Sequence, residues 1–99
     1  MENDTAYKSY QLNIVGKVQG VWYRASAKEK AITLGLNGKI WNQPDGNVGA
    51  IVQGPLNKIV EFVEWCKEGP PLAEVDDVIY EEIADDFRFD SFEITRFYP

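Results

Sequence analysis

Residues 10–34 read YQLNIVGKVQGVWYRASAKEKAITL and predict a strand, a glycine-rich loop and a helix in succession. Apolar and polar side chains alternate from Tyr10 to Ile14, which is typical of a half-buried β-strand. The alternation stops at Gly16. We expect a loop from Gly16 to Gly20, because glycine adopts backbone angles that other residues avoid.

A helix is predicted over about residues 23–34. Ala27, Ala31 and Leu34 recur at the spacing of one helix face, and charged side chains occupy the opposite side. Gly35 follows and is expected to end the helix, since glycine accepts a positive φ without a steric penalty.

The middle of the chain predicts a β-hairpin and then a second helix. Residues 36–42 and 48–53 alternate as strands do, and the sequence QPDG at residues 43–46 is a strong turn signal between them. Pro55 is expected at the first position of the second helix. The Gly-Pro-Pro run at residues 69–71 is expected to end that helix.

The last third of the chain predicts a fourth strand at residues 75–83 and a short fifth strand at residues 92–97. The order β-α-β-β-α-β plus a short C-terminal strand is that of a ferredoxin-like (split βαβ) sandwich. We therefore predict an α+β fold with an antiparallel sheet and two helices on one face. Residues 1–99 are expected to form a single domain, with residues 1–7 as a flexible N-terminal extension.

The composition excludes several functional classes. The chain has no histidine, which removes Ser-His-Asp and Cys-His nucleophile schemes and histidine-based zinc sites. Its single cysteine, Cys66, has no partner for an intrachain disulfide. The formal net charge is −6 and no basic stripe is visible, so nucleic acid is not expected as a partner.

The sequence also lacks the features of membrane proteins. No apolar stretch approaches the roughly 20 residues of a membrane-spanning helix, and the first residues lack the basic end and apolar run of a signal peptide. We expect a cytoplasmic protein that is a monomer and does not interact with membranes.

The segment from Gly16 to Arg24 suits an anion. The N–H groups at a helix N-terminus and the helix dipole attract negative charge, and an arginine forms two parallel hydrogen bonds to a phosphate. An anion cradle that Arg24 closes is one interpretation. A plain turn with a solvated arginine is the other, and the chemistry of the residues alone favours the plain turn.

Residues 14–24, IVGKVQGVWYR, resemble the first signature of the acylphosphatase family, in which an aliphatic residue and any residue precede G-x-V-Q-G-V-x-F-R. Tyr23 departs from that signature, at the position of a phenylalanine. The resemblance extends over residues 9–96, nearly the whole chain.

Residues 38–54 resemble the second signature of the same family, with the asparagine at Asn42 and all glycine spacings in register. Three residues depart from the usual pattern. Lys39 stands where an aromatic residue is common, Ile40 is larger than usual, and Trp41 occupies a position that is often basic or polar.

The resemblance implies hydrolysis of the carboxyl–phosphate bond of small acyl phosphates to a carboxylate and inorganic phosphate, with no metal and no other cofactor. It implies that Arg24 binds the phosphoryl group and that Asn42 orients the attacking water. Inorganic phosphate or sulfate is expected as a competing anion. The implied phosphate-binding loop consists of Gly16, Lys17, Val18, Gln19, Gly20, Val21, Trp22 and Tyr23.

Alternatives stay open at this stage. Asparagine is common before a Pro-Asp-Gly turn for purely structural reasons, which would explain Asn42. A catalytically weak anion-binding or regulatory domain on the same fold is the second functional hypothesis, and Lys39 and Trp41 are the departures that support it. Trp22 is expected either to shield the cradle or to bind an acyl group.

Overall fold

The helices and strands follow one another in the predicted order. The computed structural model describes residues 4–84 and 86–96. No helix within these ranges is long and apolar enough to cross a membrane. The elements are β1 (Tyr7–Lys17), α1 (Tyr23–Thr33), β2 (Asn37–Asn42), β3 (Val48–Pro55), α2 (Leu56–Glu68), β4 (Glu74–Glu82) and β5 (Phe92–Ile94).

The strands form a mixed sheet in the order β4-β1-β3-β2-β5. Neighbours among the first four strands run antiparallel, which confirms the ferredoxin-like arrangement. β5 runs parallel to β2, so the prediction of a wholly antiparallel sheet was wrong at this edge. β4 and β5 lie at opposite edges of the sheet, so the connection between them crosses the whole sheet. The chain then enters β5 in the same direction as its neighbour β2.

Both helices pack on the same face of the sheet and bury the core there. α1 contacts β2 and β5, whereas α2 contacts β1, β3 and β4. Strand residues such as Leu12, Ile14 and Ile40 are buried against helix residues such as Ala31 and Phe62. Each fully buried side chain of Leu or Phe size contributes about 1.5–3 kcal/mol, so this layer fixes the helices relative to the strand ends.

Residues 86–91, here called the crossing segment, are fastened to the sheet by Gln53. The Nε2 group of Gln53 donates to the carbonyl of Phe87 (2.9 Å), and its Oε1 accepts from the N–H of Phe89 (2.9 Å). Asn37 Nδ2 donates to the carbonyl of Phe89 (3.0 Å). Gln53 is fully buried, and both ends of its carboxamide are thus hydrogen-bonded.

The ends of the helices show which boundary signals were correct. Gly35 has a φ of 73°, and the amides of Gly35 and Leu36 donate back to Ile32 and Ala31. This Schellman motif confirms the predicted end of the first helix. Pro55, with φ −61° and ψ 138°, is the N-cap of α2 rather than its first helical residue, because the pairing of β3 with β1 extends through it.

The N-terminal residues that the structure describes are hydrogen-bonded to the rest of the chain. β1 begins at Tyr7, which the sequence analysis assigned to the extension at residues 1–7. The first two amides of α2 donate to the carbonyls of Ala6 (2.9 Å) and Asp4 (2.7 Å), which satisfies donors that a helix N-terminus leaves unpaired. Residues 1–3 lie outside the described residues.

Candidate active site

The ends of β1 and β2 carry the two halves of the candidate site. Both strands are antiparallel to β3, so they run in the same direction and end at the same edge of the sheet. Val48 pairs with Ile14 on one side and with Asn42 on the other, which places the three residues in one row. Residues in such a row point to the same face. Asn42 therefore faces the helix-covered side, where Ile14 is part of the core.

β1 extends further than the sequence predicted. Gly16 and Lys17 belong to β1 and pair with β4 after a bulge, so the expectation that the strand stops at Gly16 was wrong. A Cβ atom at Gly16 would lie 2.8 Å from the backbone nitrogen of Asp76. The close approach of β4 and a φ of 137° both require glycine here. The loop itself consists of residues 18–22, and Lys17 is exposed beside it.

Residues 18–22, here called the cradle loop, turn the chain from β1 into α1. Gly20 and Trp22 have φ values of 74° and 66°, and Val18 and Val21 are buried and hold the loop to the core. Within the described part of the chain, nothing accepts a hydrogen bond from the backbone amides of this loop. The unpaired amides of the first turn of α1 follow directly, so donors accumulate at the positive end of the helix dipole.

A cavity of about 360 Å³ opens at this helix end. Arg24 is the one charged side chain among its described lining residues. Since the whole chain carries a net charge of −6, the attraction for an anion is local. Amides and a guanidinium are donors that suit an anion, and the described residues contain no group of three or more His, Cys, Asp or Glu that would hold a metal ion. The lining residues are Val18, Gly20, Trp22, Tyr23, Arg24, Ala25 and Ile94.

Arg24 lies in the first turn of α1 and is partly exposed. No carboxylate in residues 4–84 and 86–96 forms an ion pair with it. Ile94, which lines the same cavity, pairs with Ile40 of β2. Asn42 follows Ile40 by two residues on the same face, roughly 7 Å further along the strand. The structure thus brings Arg24 and Asn42 to the same face and the same end of the sheet.

Asn42 is the last residue of β2, and its Oδ1 atom is buried with no hydrogen-bond partner among the described residues. The turn that follows does not depend on its side chain. Gln43 N–H donates to the carbonyl of Asn47 (2.9 Å), and Asp45 Oδ1 accepts from the N–H of Asn47 (3.0 Å). A buried acceptor without a donor costs about 1–3 kcal/mol. Such an atom is suited to a ligand or water that donates to it.

Gln19 ties the cradle loop to the β2–β3 turn. Its Nε2 group donates to the carbonyls of Gln43 and Asn47, both at 2.8 Å. Gln43 Nε2 in turn donates to Oδ1 of Asn13 in β1 (2.7 Å). The Gln19 side chain therefore holds two parts of the site together and does not line the cavity. These partners lie 24 and 28 residues away from Gln19, so no local sequence pattern indicates the contact.

The side chain of Tyr23 anchors the first residue of α1. Its hydroxyl donates to the carbonyl of Cys66 in α2 (2.8 Å), and its ring lies against Trp65 with centroids 5.5 Å apart. Burial, and then the neighbouring Cys66, raises the pKa of Tyr23 far above its usual value. Burial also raises the pKa of the Cys66 thiol to about 12. The hydroxyl at this position is therefore engaged in the core and takes no part in acid–base chemistry at the cavity.

The three departures from the second family signature lie away from the cavity. Ile40 is fully buried in the core. Lys39 and Trp41 alternate with Ile40 and Asn42 and so point to the opposite face of the sheet. Lys39 Nζ lies 5.1 Å from the ring centroid of Phe89 in the crossing segment. The ring of Trp41 is buried and lies over the backbone of β3, where a glycine makes room for it.

Several known acylphosphatases resemble this chain. The family model described as Acylphosphatase matches residues 10–94. A curated acylphosphatase of Methylococcus capsulatus is 42% identical over 89 residues, which are 90% of this chain and 97% of that protein. The solved acylphosphatase from Coxiella burnetii has a TM-score of 0.86 at 35% identity and covers 90% of this chain and 93% of its own. The solved enzyme from Bacillus subtilis also has a TM-score of 0.86, at 31% identity, over 91% of this chain and 99% of its own. The chain therefore belongs to the acylphosphatase family, whose enzymes hydrolyse acyl phosphates.

Proposed function

We propose that this acylphosphatase binds the phosphoryl group of a small acyl phosphate at the cradle loop and Arg24, and that Asn42 holds the attacking water. The observation that carries the proposal is the buried Oδ1 of Asn42, which no described residue satisfies. It lies on the face and at the end of the sheet where the cavity opens. A water that donates a proton to this oxygen keeps its lone pairs free for attack on a phosphoryl group.

Two kinds of donor bind the phosphate. The amides of residues 18–22 and of the first turn of α1 donate from the backbone, where their positions are set by the fold. Arg24 adds a planar guanidinium that forms two parallel hydrogen bonds to phosphate oxygens. Together they balance most of the charge of a phosphate dianion in a protein whose net charge is negative.

The chemical step needs positioning more than a strong base. The water oxygen forms a bond to phosphorus while the bond from phosphorus to the anhydride oxygen breaks, and the carboxylate leaves with the electron pair. The water proton passes to a phosphate oxygen, so an acyl phosphate dianion and water yield a carboxylate and dihydrogen phosphate. The transition state of phosphoryl transfer spreads charge over the equatorial oxygens, which amides and Arg24 stabilise.

No side chain with a pKa near neutrality is needed for this route. Among the described cavity-lining residues, only Tyr23 and Arg24 are ionisable. The hydroxyl of Tyr23 is bonded to Cys66, and burial raises its pKa. A neutral carboxamide such as that of Asn42 orients a water at any pH. We therefore expect no titrating protein base in the pH–rate profile between about pH 5 and 8.

The test is hydrolysis of benzoyl phosphate in the presence of EDTA by the wild-type chain and by Arg24→Ala and Asn42→Ala. Each variant is expected to lose about 100-fold or more in kcat, because removing one donor aimed at the transition state has effects of this size. Inorganic phosphate, and sulfate as a second anion, should inhibit the wild type competitively and the Arg24→Ala variant far more weakly.

Arg88→Ala and Asn57→Ala are the matched controls, because both residues are exposed and lie on other elements. Both should keep activity within about twofold. Full activity in either site variant, with circular dichroism showing a folded chain, would refute the assigned roles. A wild type that binds phosphate but turns over no acyl phosphate would instead support a catalytically weak anion-binding domain.

We further propose that the protein acts as a cytoplasmic monomer. The support for the compartment is the buried free thiol of Cys66, which is compatible with a reducing environment. Sedimentation equilibrium checks the monomer, and cell fractionation checks the compartment.

A further inference from the structure

Trp22 is the most exposed of the large hydrophobic side chains that the structure describes, with 77% of its surface accessible. It is also the one non-glycine residue with a positive φ in the described ranges, at 66°. It occupies the N-cap position of α1 without giving the helix a side-chain hydrogen bond. Tryptophan is rarely exposed to this extent, and neither helix capping nor backbone preference explains its presence here.

The position of Trp22 points to a ligand. It lines the cavity together with Ile94, whose side chain is 40% exposed on the edge strand β5. The cavity lining thus combines apolar side chains with Arg24 and the backbone of the helix end. A cavity of about 360 Å³ is within the usual size range of small-molecule sites, which combine apolar walls with a few polar groups.

An acyl phosphate has the same two-part character as this cavity. Its phosphate carries the charge, and its acyl group begins one anhydride oxygen away. When the phosphate is bound by the amides and Arg24, the acyl group lies within reach of the apolar side chains that line the same cavity. Flat aromatic groups stack on a tryptophan ring, whereas an acetyl group has too little apolar surface to gain much from this contact.

We propose that Trp22 and Ile94 form an acyl-group subsite that makes this enzyme selective for acyl phosphates with an aromatic or large apolar acyl group. This proposal rests on the proposed function, since it takes the phosphate position from it. Trp22 contacts the acyl group in both ground state and transition state, so it acts mainly on substrate binding and on kcat/KM.

The experiment compares benzoyl phosphate with acetyl phosphate in the wild type, Trp22→Phe, Trp22→Asn and Ile94→Thr. Asparagine tolerates a left-handed backbone and caps helices well, so Trp22→Asn removes the ring while keeping the turn. We expect Trp22→Asn to lose about tenfold in kcat/KM for benzoyl phosphate, and less than about twofold for acetyl phosphate, as contacts in apolar pockets allow. Trp22→Phe should keep most of the preference, and Ile94→Thr should lose part of it.

Inorganic phosphate inhibition should change by less than about twofold in all three variants, because they replace only side chains and keep the backbone amides that donate to the phosphate. Leu72→Asn is the matched control, since Leu72 is 67% exposed outside the cavity, and it should leave both substrates unaffected.

An unchanged ratio of the two kcat/KM values in Trp22→Asn, with both substrates turned over, would overturn the subsite alone. Equal losses for both substrates together with weaker phosphate inhibition would show that Trp22 organises the cradle, which also overturns it. A wild type that hydrolyses neither substrate would overturn the proposed function itself.

Discussion

Each end of the sheet holds a side-chain carboxamide with buried polar atoms, and the two carboxamides differ in whether the protein supplies their hydrogen-bond partners. Where the crossing segment passes, Gln53 accepts from the N–H of Phe89 and donates to the carbonyl of Phe87. At the cavity end, Oδ1 of Asn42 is buried as well, but no described residue donates to it. Both residues lie on interior strands of the sheet, Asn42 on the helix-covered face and Gln53 on the opposite face.

The difference between the Gln53 and Asn42 carboxamides is one of free energy. A buried polar group whose partners are supplied by the protein stabilises the fold, whereas an unpaired one costs about 1–3 kcal/mol. Such a cost persists where something outside the protein supplies the partner. Gln53 thus belongs to the framework, whereas the unpaired oxygen of Asn42 fits the water-holding role proposed for it.

The largest expected effect tests this separation directly. Gln53→Leu leaves the carbonyl of Phe87 and the N–H of Phe89 without their partners, and it should lower the free energy of unfolding by about 2–4 kcal/mol. Asn42→Ala should change the free energy of unfolding by less than about 0.5 kcal/mol, or raise it, because it removes an unsatisfied acceptor. Urea denaturation measures both.

The effects of Gln53→Leu and Asn42→Ala on kcat should be in the reverse order of their effects on the free energy of unfolding. Gln53→Leu, assayed with benzoyl phosphate at a temperature where it is folded, should keep kcat within a few-fold, while Asn42→Ala should lose it. Similar losses of stability in the two variants would contradict the distinction between them.

The same distinction marks where sequence reasoning ends. The order of helices and strands along the chain and the helix end at Gly35 follow from local alternation and from the backbone freedom of glycine, and the structure confirms them. The role of Gly16 does not follow locally, because it depends on the backbone of Asp76 on a strand 60 residues later. The parallel direction of β5 depends on which edge of the sheet its connection reaches. The burial of Oδ1 in Asn42 depends on packing that no spacing rule describes.

A smaller effect is expected from cutting the link between the two halves of the site. Gln19→Ala removes the two hydrogen bonds to the carbonyls of Gln43 and Asn47 and should lower the free energy of unfolding by about 1–2 kcal/mol. Gln19→Glu should be worse, because a carboxylate then faces carbonyl oxygens that it cannot pair. In both variants kcat should fall more than KM rises, since the water held by Asn42 is displaced relative to the bound phosphate.

Gln11→Ala, on the exposed part of β1, is the control for this change of residue type, and it should alter neither stability nor kcat noticeably. If Gln19→Ala raised KM alone, the side chain would contribute to phosphate binding rather than to the alignment of the two halves.

The smallest expected effect concerns the buried side chains of Tyr23 and Cys66 and depends on pH. The folded-state pKa values of Tyr23 and Cys66 are both raised by burial, the latter to about 12. A raised pKa in the folded state contributes stability that is complete below the unfolded pKa of about 9 to 10 and is lost as the pH rises above it. The wild type should therefore keep its stability at pH 7–8 and lose it progressively above about pH 9.

Tyr23→Phe isolates the tyrosine part of this loss. At pH 8 the variant should be less stable by about 1 kcal/mol, because the hydrogen bond to the carbonyl of Cys66 is gone. Above pH 10 the unfolded wild type releases the phenolic proton, which costs the folded wild type about 1.4 kcal/mol per pH unit. Since phenylalanine has no such proton, the difference should close near pH 11. Denaturation curves at pH 8 and pH 11 measure it, with Tyr80→Phe as the matched control, since the Tyr80 side chain is half exposed on the edge strand β4. A constant difference across this range would mean that the Tyr23 hydroxyl can ionise in the folded chain, and that the base of α1 is open to solvent.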